Sequence, residues 1–191
     1  MNLFLSVPTL ALSLYHSRKG SVKARIVLLG VLAYFAYTFL SYGVLFKLNP
    51  GFIFYTAAFA LSLYATLLNL AGFNIGDITI GAPDETGRRT QYALVIVVLI
   101  MFFLWIPDLA TYYLWGQTPT AISAEGFHTL VLPFQDFSII PPLTLLTIWL
   151  VRRDMAWGYV LAPVILVKVF SIAMAVIGMI IVMSIMEPRL A

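Results

Sequence analysis

The sequence predicts an all-α integral membrane protein: a bundle of six transmembrane helices, the first one short, with both termini extracytoplasmic. Three observations support this fold class. The 191 residues are 62% hydrophobic and only 10% charged, and their mean hydropathy is +0.99, far from the composition of soluble domains. Six long apolar blocks alternate with short segments that hold the charges. Lys and Arg collect in every second segment, which sets the orientation. We expect residues 1–191 to form a single transmembrane domain.

Each apolar block is predicted to form one helix. A hydrocarbon core about 30 Å thick takes about 20 residues at about 1.5 Å per residue. Backbone amides find no water in lipid, so a helix must satisfy them internally. The last five blocks reach the required length and the first falls short of it. The blocks are 2–15, 26–46, 52–73, 92–115, 129–151 and 157–186.

The first block is interpreted as a short or tilted first helix. Its basic residues follow the apolar run instead of preceding it, which argues against a secretory signal peptide. Arg18 extends the helix by reaching towards the interface. A re-entrant or surface segment is the alternative, and Pro8 favours it.

The cations of the connecting segments define the predicted topology. The first connection has four (Arg18, Lys19, Lys23 and Arg25), while the third and fifth have two each (Arg88 with Arg89, and Arg152 with Arg153). The opposite side has only Lys47 and Arg189. Cytoplasmic loops carry the excess of Lys and Arg, so the first, third and fifth connections are predicted to be cytoplasmic.

The longer connections carry turn signals. Asn49-Pro50-Gly51 predicts a tight outer turn that begins the third helix. The third connection, 74–91, is the longest, and the fourth, 116–128, is predicted to cap the outer face.

Several classes of function are excluded by composition. The chain has no cysteine and only two histidines, His16 and His128, both near helix ends. This set provides no intramembrane haem pair and no zinc site, so neither cofactor nor metal is expected. The net charge of +3 comes from cations at helix ends, where they face lipid headgroups, and does not indicate nucleic-acid binding. The expected partner is the lipid bilayer.

Three ionisable residues lie within the apolar blocks. Asp108 is seven residues before Trp115 and Asp136 is seven residues after Thr129, so both carboxyls are expected about 10 Å below the outer interface. Lys168 is near the middle of the sixth block. A charge at such depth costs a few kcal/mol, so three on consecutive helices predict an internal cluster.

The cluster has two interpretations. In the first, Lys168 neutralises one aspartate, while Gln135 and hydroxyl groups satisfy the other, and the charges only fix helix packing. In the second, the charges form an outward-facing polar cavity for a small solute or cation. Tyr34 and Tyr42, on the hydroxyl-rich face of the second helix, are then the hydroxyls most suited to line it.

Prolines accompany these charges along the chain. Each removes a backbone donor and frees a carbonyl one turn earlier, so kinks are expected beside the acids. The prolines concerned are Pro107, Pro133, Pro141, Pro142 and Pro163.

Three functions are consistent with the sequence. The first is binding or transport of a small solute or ion across the cell (inner) membrane, with Asp108, Asp136 and Lys168 as the charged centre and Gln135, Tyr34 and Tyr42 around it. The second is a non-catalytic membrane subunit or scaffold, in which small residues spaced four apart permit a homodimer or a larger complex. The third, disfavoured by Lys168, is an intramembrane enzyme with an aspartate dyad.

Overall fold

Every regular element in the computed structural model is helical within residues 5–77 and 85–186, the part of the chain that the structure describes. A 3₁₀ turn occupies Ile75–Asp77. The helices are α1 (Val7–Arg18), α2 (Val22–Leu45), α3 (Phe52–Ala71), α4 (Glu85–Trp115), α5 (Thr120–Glu125), α6 (Val131–Arg152) and α7 (Ala156–Met186).

Five of the described helices, α2, α3, α4, α6 and α7, are long and apolar enough to cross a membrane. This confirms a helical, multi-pass membrane protein. Their ends lie within a few residues of the predicted block limits, except that α4 begins at Glu85, seven residues before the apolar block. The extension carries Arg88 and Arg89. The helix continues through them because polar residues outside the lipid do not stop a helix that is already formed.

Parts of three sequence predictions lie outside the described residues. These parts are the start of the first apolar block (2–4), the middle of the longest connection (78–84) and the segment with Arg189 (187–191).

The predicted turn between α2 and α3 is present. The Asn49 side-chain oxygen accepts from the Gly51 N–H at 2.8 Å, and the Asn49 carbonyl accepts from the Phe52 N–H at 3.0 Å. Asn-Pro-Gly thus closes the turn immediately before α3 begins.

The connection between α4 and α6 contains the short helix α5. Gly126 ends α5 in the left-handed conformation, with φ of 67°, and its N–H donates to the Ile122 carbonyl. Glycine adopts this conformation without steric cost, which is why it ends helices so often.

The chain divides into two compact units. The first comprises Met1–Phe39, Thr56–Ile78 and Pro163–Ala191, and the second comprises Leu40–Tyr55 and Thr79–Ala162.

The first unit has a core centred on α2. Buried Val31, Tyr34 and Phe35 form the cluster. Gly30 permits close approach of α7, since a Cβ added there would lie 2.6 Å from the Cβ of Val167. Partly buried side chains from α1, α2 and α7 pack around the cluster: Leu10, Val27, Phe39, Val167, Ile172 and Ala175.

Helix α1 runs alongside α2. Leu10 packs on the cluster formed by Val31, Tyr34 and Phe35, which lies at least nine residues into α2. That position is about 13 Å from the start of α2. Whether α1 is a short or tilted crossing or a surface segment stays a prediction. The 12 residues of α1 extend about 18 Å.

The second unit is built on an antiparallel pair, α4 and α6. The rings of Phe102 and Phe137 lie 5.2 Å apart, and Trp105 contacts Asp136 one turn further out. At the other end, the Arg152 guanidinium donates to Gln91 at 3.3 Å. These contacts hold the two helices in register along most of the membrane depth.

Candidate ligand cavity

Asp136 is buried in the contact between α4 and α6. Its exposed fraction is 7%, and its carboxylate accepts a hydrogen bond from the Trp105 indole N–H at 2.8 Å. A charge-assisted hydrogen bond of this kind stabilises a carboxylate that is removed from water. The contact also fixes the rotation of α6 relative to α4.

Gln135 occupies the neighbouring position on α6 and contacts a different helix. Its side-chain oxygen accepts from the Ser41 hydroxyl, in the last turns of α2, at 2.8 Å. Gln135 is only 3% exposed, and its Nε2 has no hydrogen-bond partner among the described residues. An unsatisfied buried donor is a place where an internal water or a ligand atom gains a hydrogen bond.

Asp108 lies within α4, directly after Pro107. It follows Trp105 by three residues and precedes Tyr112 by four, so the three side chains share one face of the helix. Asp108 is half-buried, and within 5–77 and 85–186 it forms no salt bridge or hydrogen bond. A carboxylate in this position is available to a ligand.

The three other predicted site residues lie elsewhere. Lys168 is in the first unit, buried, with its ammonium 3.9 Å from the centre of the Tyr37 ring. Tyr34 belongs to the apolar core cluster of that unit. Tyr42, in the second unit, stacks on Phe46 with ring centres 5.1 Å apart. That Lys168 shares a site with the two acids stays a prediction.

A cavity of about 630 Å³ opens at the end of the second unit where α4 stops and α6 starts. Its volume is within the range of small-molecule sites. Helix α5 and the residue before it, Pro119, form one side of the cavity. The cavity is lined by Leu109, Tyr112 and Tyr113 of α4, Ile122 of α5, Pro133, Phe134, Phe137 and Ser138 of α6, and Pro119, His128, Thr129 and Leu130 of the connections.

The lining is mainly apolar, with four Tyr and Phe rings, and no Lys or Arg is among the described residues that form it. Tyr112, Tyr113 and Phe134 are each more than half exposed, so their rings form an open rim rather than a packed core. His128, Thr129 and the Tyr hydroxyls supply polar atoms at this rim. The surface suits a ligand that has both an apolar body and a polar group.

Prolines leave backbone acceptors in the wall of the cavity. Pro141 and Pro142 lie inside the continuous helix α6 and have no N–H. The carbonyls four residues earlier, those of Phe137 and Ser138, therefore lack their ordinary helical donors. Both residues line the cavity. Two residues of the lining therefore have carbonyl groups without a helical hydrogen bond.

None of the six predicted site residues lines this cavity, although two are adjacent to it along the chain. Asp108 precedes Leu109, and Asp136 precedes Phe137, and both of these neighbours do line it. Tyr112 and Tyr113, near the end of the fourth apolar block, also fit the aromatic belt expected at a membrane interface. A signal for the cavity was present in the sequence. If α4 and α6 are paired so that their two aspartates lie at one depth, Tyr112 and Tyr113 come to lie near Phe134 and Phe137.

Comparison with protein-family models, with curated proteins and with solved structures gave no match.

Proposed function

We propose that this protein binds a small solute in the cavity at the outer ends of α4 and α6, and moves it across the cell (inner) membrane. The observation that carries the proposal is the cavity itself. Its volume of about 630 Å³ is suited to a small molecule, and exposed aromatic rings at its rim give an entering ligand apolar surface to pack on.

The proposed orientation places the cavity outside. Connections with Arg18, Arg88 and Arg152 are cytoplasmic by the positive-inside rule, and the cavity is at the opposite ends of α4 and α6. We keep the arrangement of six crossings with both termini outside. Helix α1 is the short crossing of this arrangement: its 12 residues extend about 18 Å, so the proposal requires the hydrocarbon core of about 30 Å to thin locally around it.

The polar residues below the cavity divide into two roles in this proposal. Trp105–Asp136 and Ser41–Gln135 hold α4 and α2 against α6, which gives the cavity a fixed shape. Asp108 is the ionisable group beside the cavity that is available to a solute.

The scaffold function is the second candidate, and the same two hydrogen bonds favour it. Intramembrane polar groups that bond across helices are common in bundles without a ligand. Under that alternative the cavity is only a surface depression that binds no ligand, so a side chain that fills it changes no binding measurement.

Occluding the cavity tests the proposal. Leu109→Trp places an indole in the cavity, while Ile106→Trp places one on the same helix at a residue that is 50% exposed and outside the lining. The purified protein is screened by thermal unfolding against small amines, carboxylates, alcohols and alkali-metal cations. A ligand at 100 times its Kd stabilises the folded state by about 2.7 kcal/mol.

We expect at least one compound to stabilise the wild type and Ile106→Trp but not Leu109→Trp. Uptake of that compound into proteoliposomes then separates transport from binding alone. If no compound stabilises the wild type, or if Leu109→Trp responds as strongly, the scaffold function replaces the proposal.

A further inference from the structure

We infer that the solute is a small organic cation with an apolar body, and this inference rests on the proposed function. It concerns the chemical class of the ligand, which the existence of a cavity leaves open. Three features of the second unit point to the same class: the aromatic rim, the backbone acceptors of α6 and the carboxylate of Asp108.

The aromatic rim is the first feature. Tyr112, Tyr113, Phe134 and Phe137 line the cavity. The face of an aromatic ring attracts a cation within about 6 Å of its centre, and the attraction is strongest for a weakly hydrated cation such as a quaternary ammonium. Alkyl or aryl groups on the same ligand pack on these rings.

The backbone acceptors and the absence of competing cations are the second feature. The Phe137 and Ser138 carbonyls lack helical donors, since Pro141 and Pro142 follow them. No Lys or Arg is among the described residues of the lining, and its basic side chain, His128, is exposed. The described lining therefore offers an anionic ligand hydroxyl donors but no ammonium or guanidinium partner.

The carboxylate of Asp108 is the third feature. It lies about 10 Å below the end of α4, one turn below Tyr112 and next to Leu109, both of which line the cavity. It is half-buried and forms no salt bridge with the described residues. A carboxylate partly shielded from water attracts a cation more strongly than a fully solvated one.

The experiment compares two ligands of the same shape on the full-length protein in nanodiscs. Phenyltrimethylammonium carries one positive charge, and tert-butylbenzene is its uncharged isostere. Binding is followed by the intrinsic fluorescence of the protein and by calorimetry. We expect the cation to bind at least about tenfold more tightly than the isostere, which corresponds to about 1.4 kcal/mol.

Three variants locate the preference. Asp108→Asn should weaken binding of the cation about tenfold and leave the isostere unchanged, whereas Asp108→Glu should restore most of the affinity. Asp154→Asn removes the same charge at an exposed position near the opposite end of α6. It should change the affinity for neither the cation nor the isostere. Retention of the folded state is checked by circular dichroism and gel filtration.

The outcomes separate this inference from the proposed function. If both ligands bind equally and Leu109→Trp abolishes both, the cavity is a binding site but not one for cations, and only the inference fails. The inference also fails if Asp108→Asn retains the full preference for the cation. If neither ligand binds the wild type, the inference fails. The proposed function is then decided by the thermal-unfolding screen described above.

Discussion

The two sides of α6 near its first turns differ in both side chains and surroundings. On one side, Gln135 and Asp136 are almost fully buried and bond to α2 and α4. On the other side, Pro133, Phe134 and Phe137 line a cavity. We call the first the seam face and the second the cavity face.

The difference shows that the positions of polar residues do not by themselves predict where the helices leave a cavity. The most polar residues of α6 are used between helices, where each satisfied hydrogen bond fixes position. The cavity is formed mainly by apolar and aromatic residues, which have no such partner to hold them together. We therefore expect substitutions on the seam face to change stability, and substitutions on the cavity face to change binding.

The largest expected effect on stability comes from Trp105. Trp105→Phe keeps an aromatic ring but removes the N–H that donates to Asp136 at 2.8 Å. A hydrogen bond to a buried charged group contributes about 1.5–3 kcal/mol, so the free energy of unfolding should fall by about that amount. Unfolding in mixed detergent micelles measures it.

Trp149→Phe is the matched control for this prediction. Trp149 is on α6, 48% exposed, and its ring lies under the Arg153 guanidinium at 5.1 Å. The change there should cost less than about 1 kcal/mol. Equal losses in both variants would show that Trp105–Asp136 is no more important than an exposed aromatic contact.

A smaller effect is expected at Ser41 and Gln135. Ser41→Ala removes the one hydrogen bond given to the Gln135 oxygen and should cost about 0.6–1.7 kcal/mol. Gln135→Met removes an amide whose Nε2 already lacks a partner among the described residues, so it should cost less. Combining both should cost little more than Gln135→Met alone, because no polar group is then left unsatisfied.

A double-mutant cycle checks this prediction. If the double variant loses the sum of the two single losses in unfolding free energy, Ser41 and Gln135 do not interact. The contrast between a stabilising seam face and a binding cavity face would then lose this contact. Ser138→Ala, whose hydroxyl donates only to the Gln135 backbone carbonyl of its own helix, should be nearly neutral.

The sequence was sufficient to predict the helices because lipid imposes a simple requirement on length and polarity. Five long blocks became α2, α3, α4, α6 and α7. Gln135 and Asp136, which the sequence places within an apolar block, are buried, while their assignment to a ligand site stays a prediction.

The cavity was harder to predict, because hydropathy does not distinguish the faces of a helix that is apolar all round. Helices α2 and α3 have similar hydropathy, yet 56% of the span in α2 is buried and none of that in α3. Tyr34 and Tyr112 are both aromatic hydroxyls at helical spacing, but one lies in a core and the other lines a cavity. Only the pairing of helices separates such residues.

Cysteine labelling in intact cells tests the central claim most directly, since the natural chain contains no cysteine and needs no prior substitution. Ser138→Cys is in the cavity lining, and Ile139→Cys is beside it, 42% exposed but outside the lining. A maleimide reacts with the cysteine thiolate, and the thiol ionises readily only where water reaches it. A membrane-impermeant maleimide therefore labels cysteines in contact with the outside solution. We predict rapid labelling of Ser138→Cys from outside, with Ile139→Cys and Gly87→Cys unlabelled. An inert Ser138→Cys, or labelling of Gly87→Cys from outside, would contradict the outward-facing cavity.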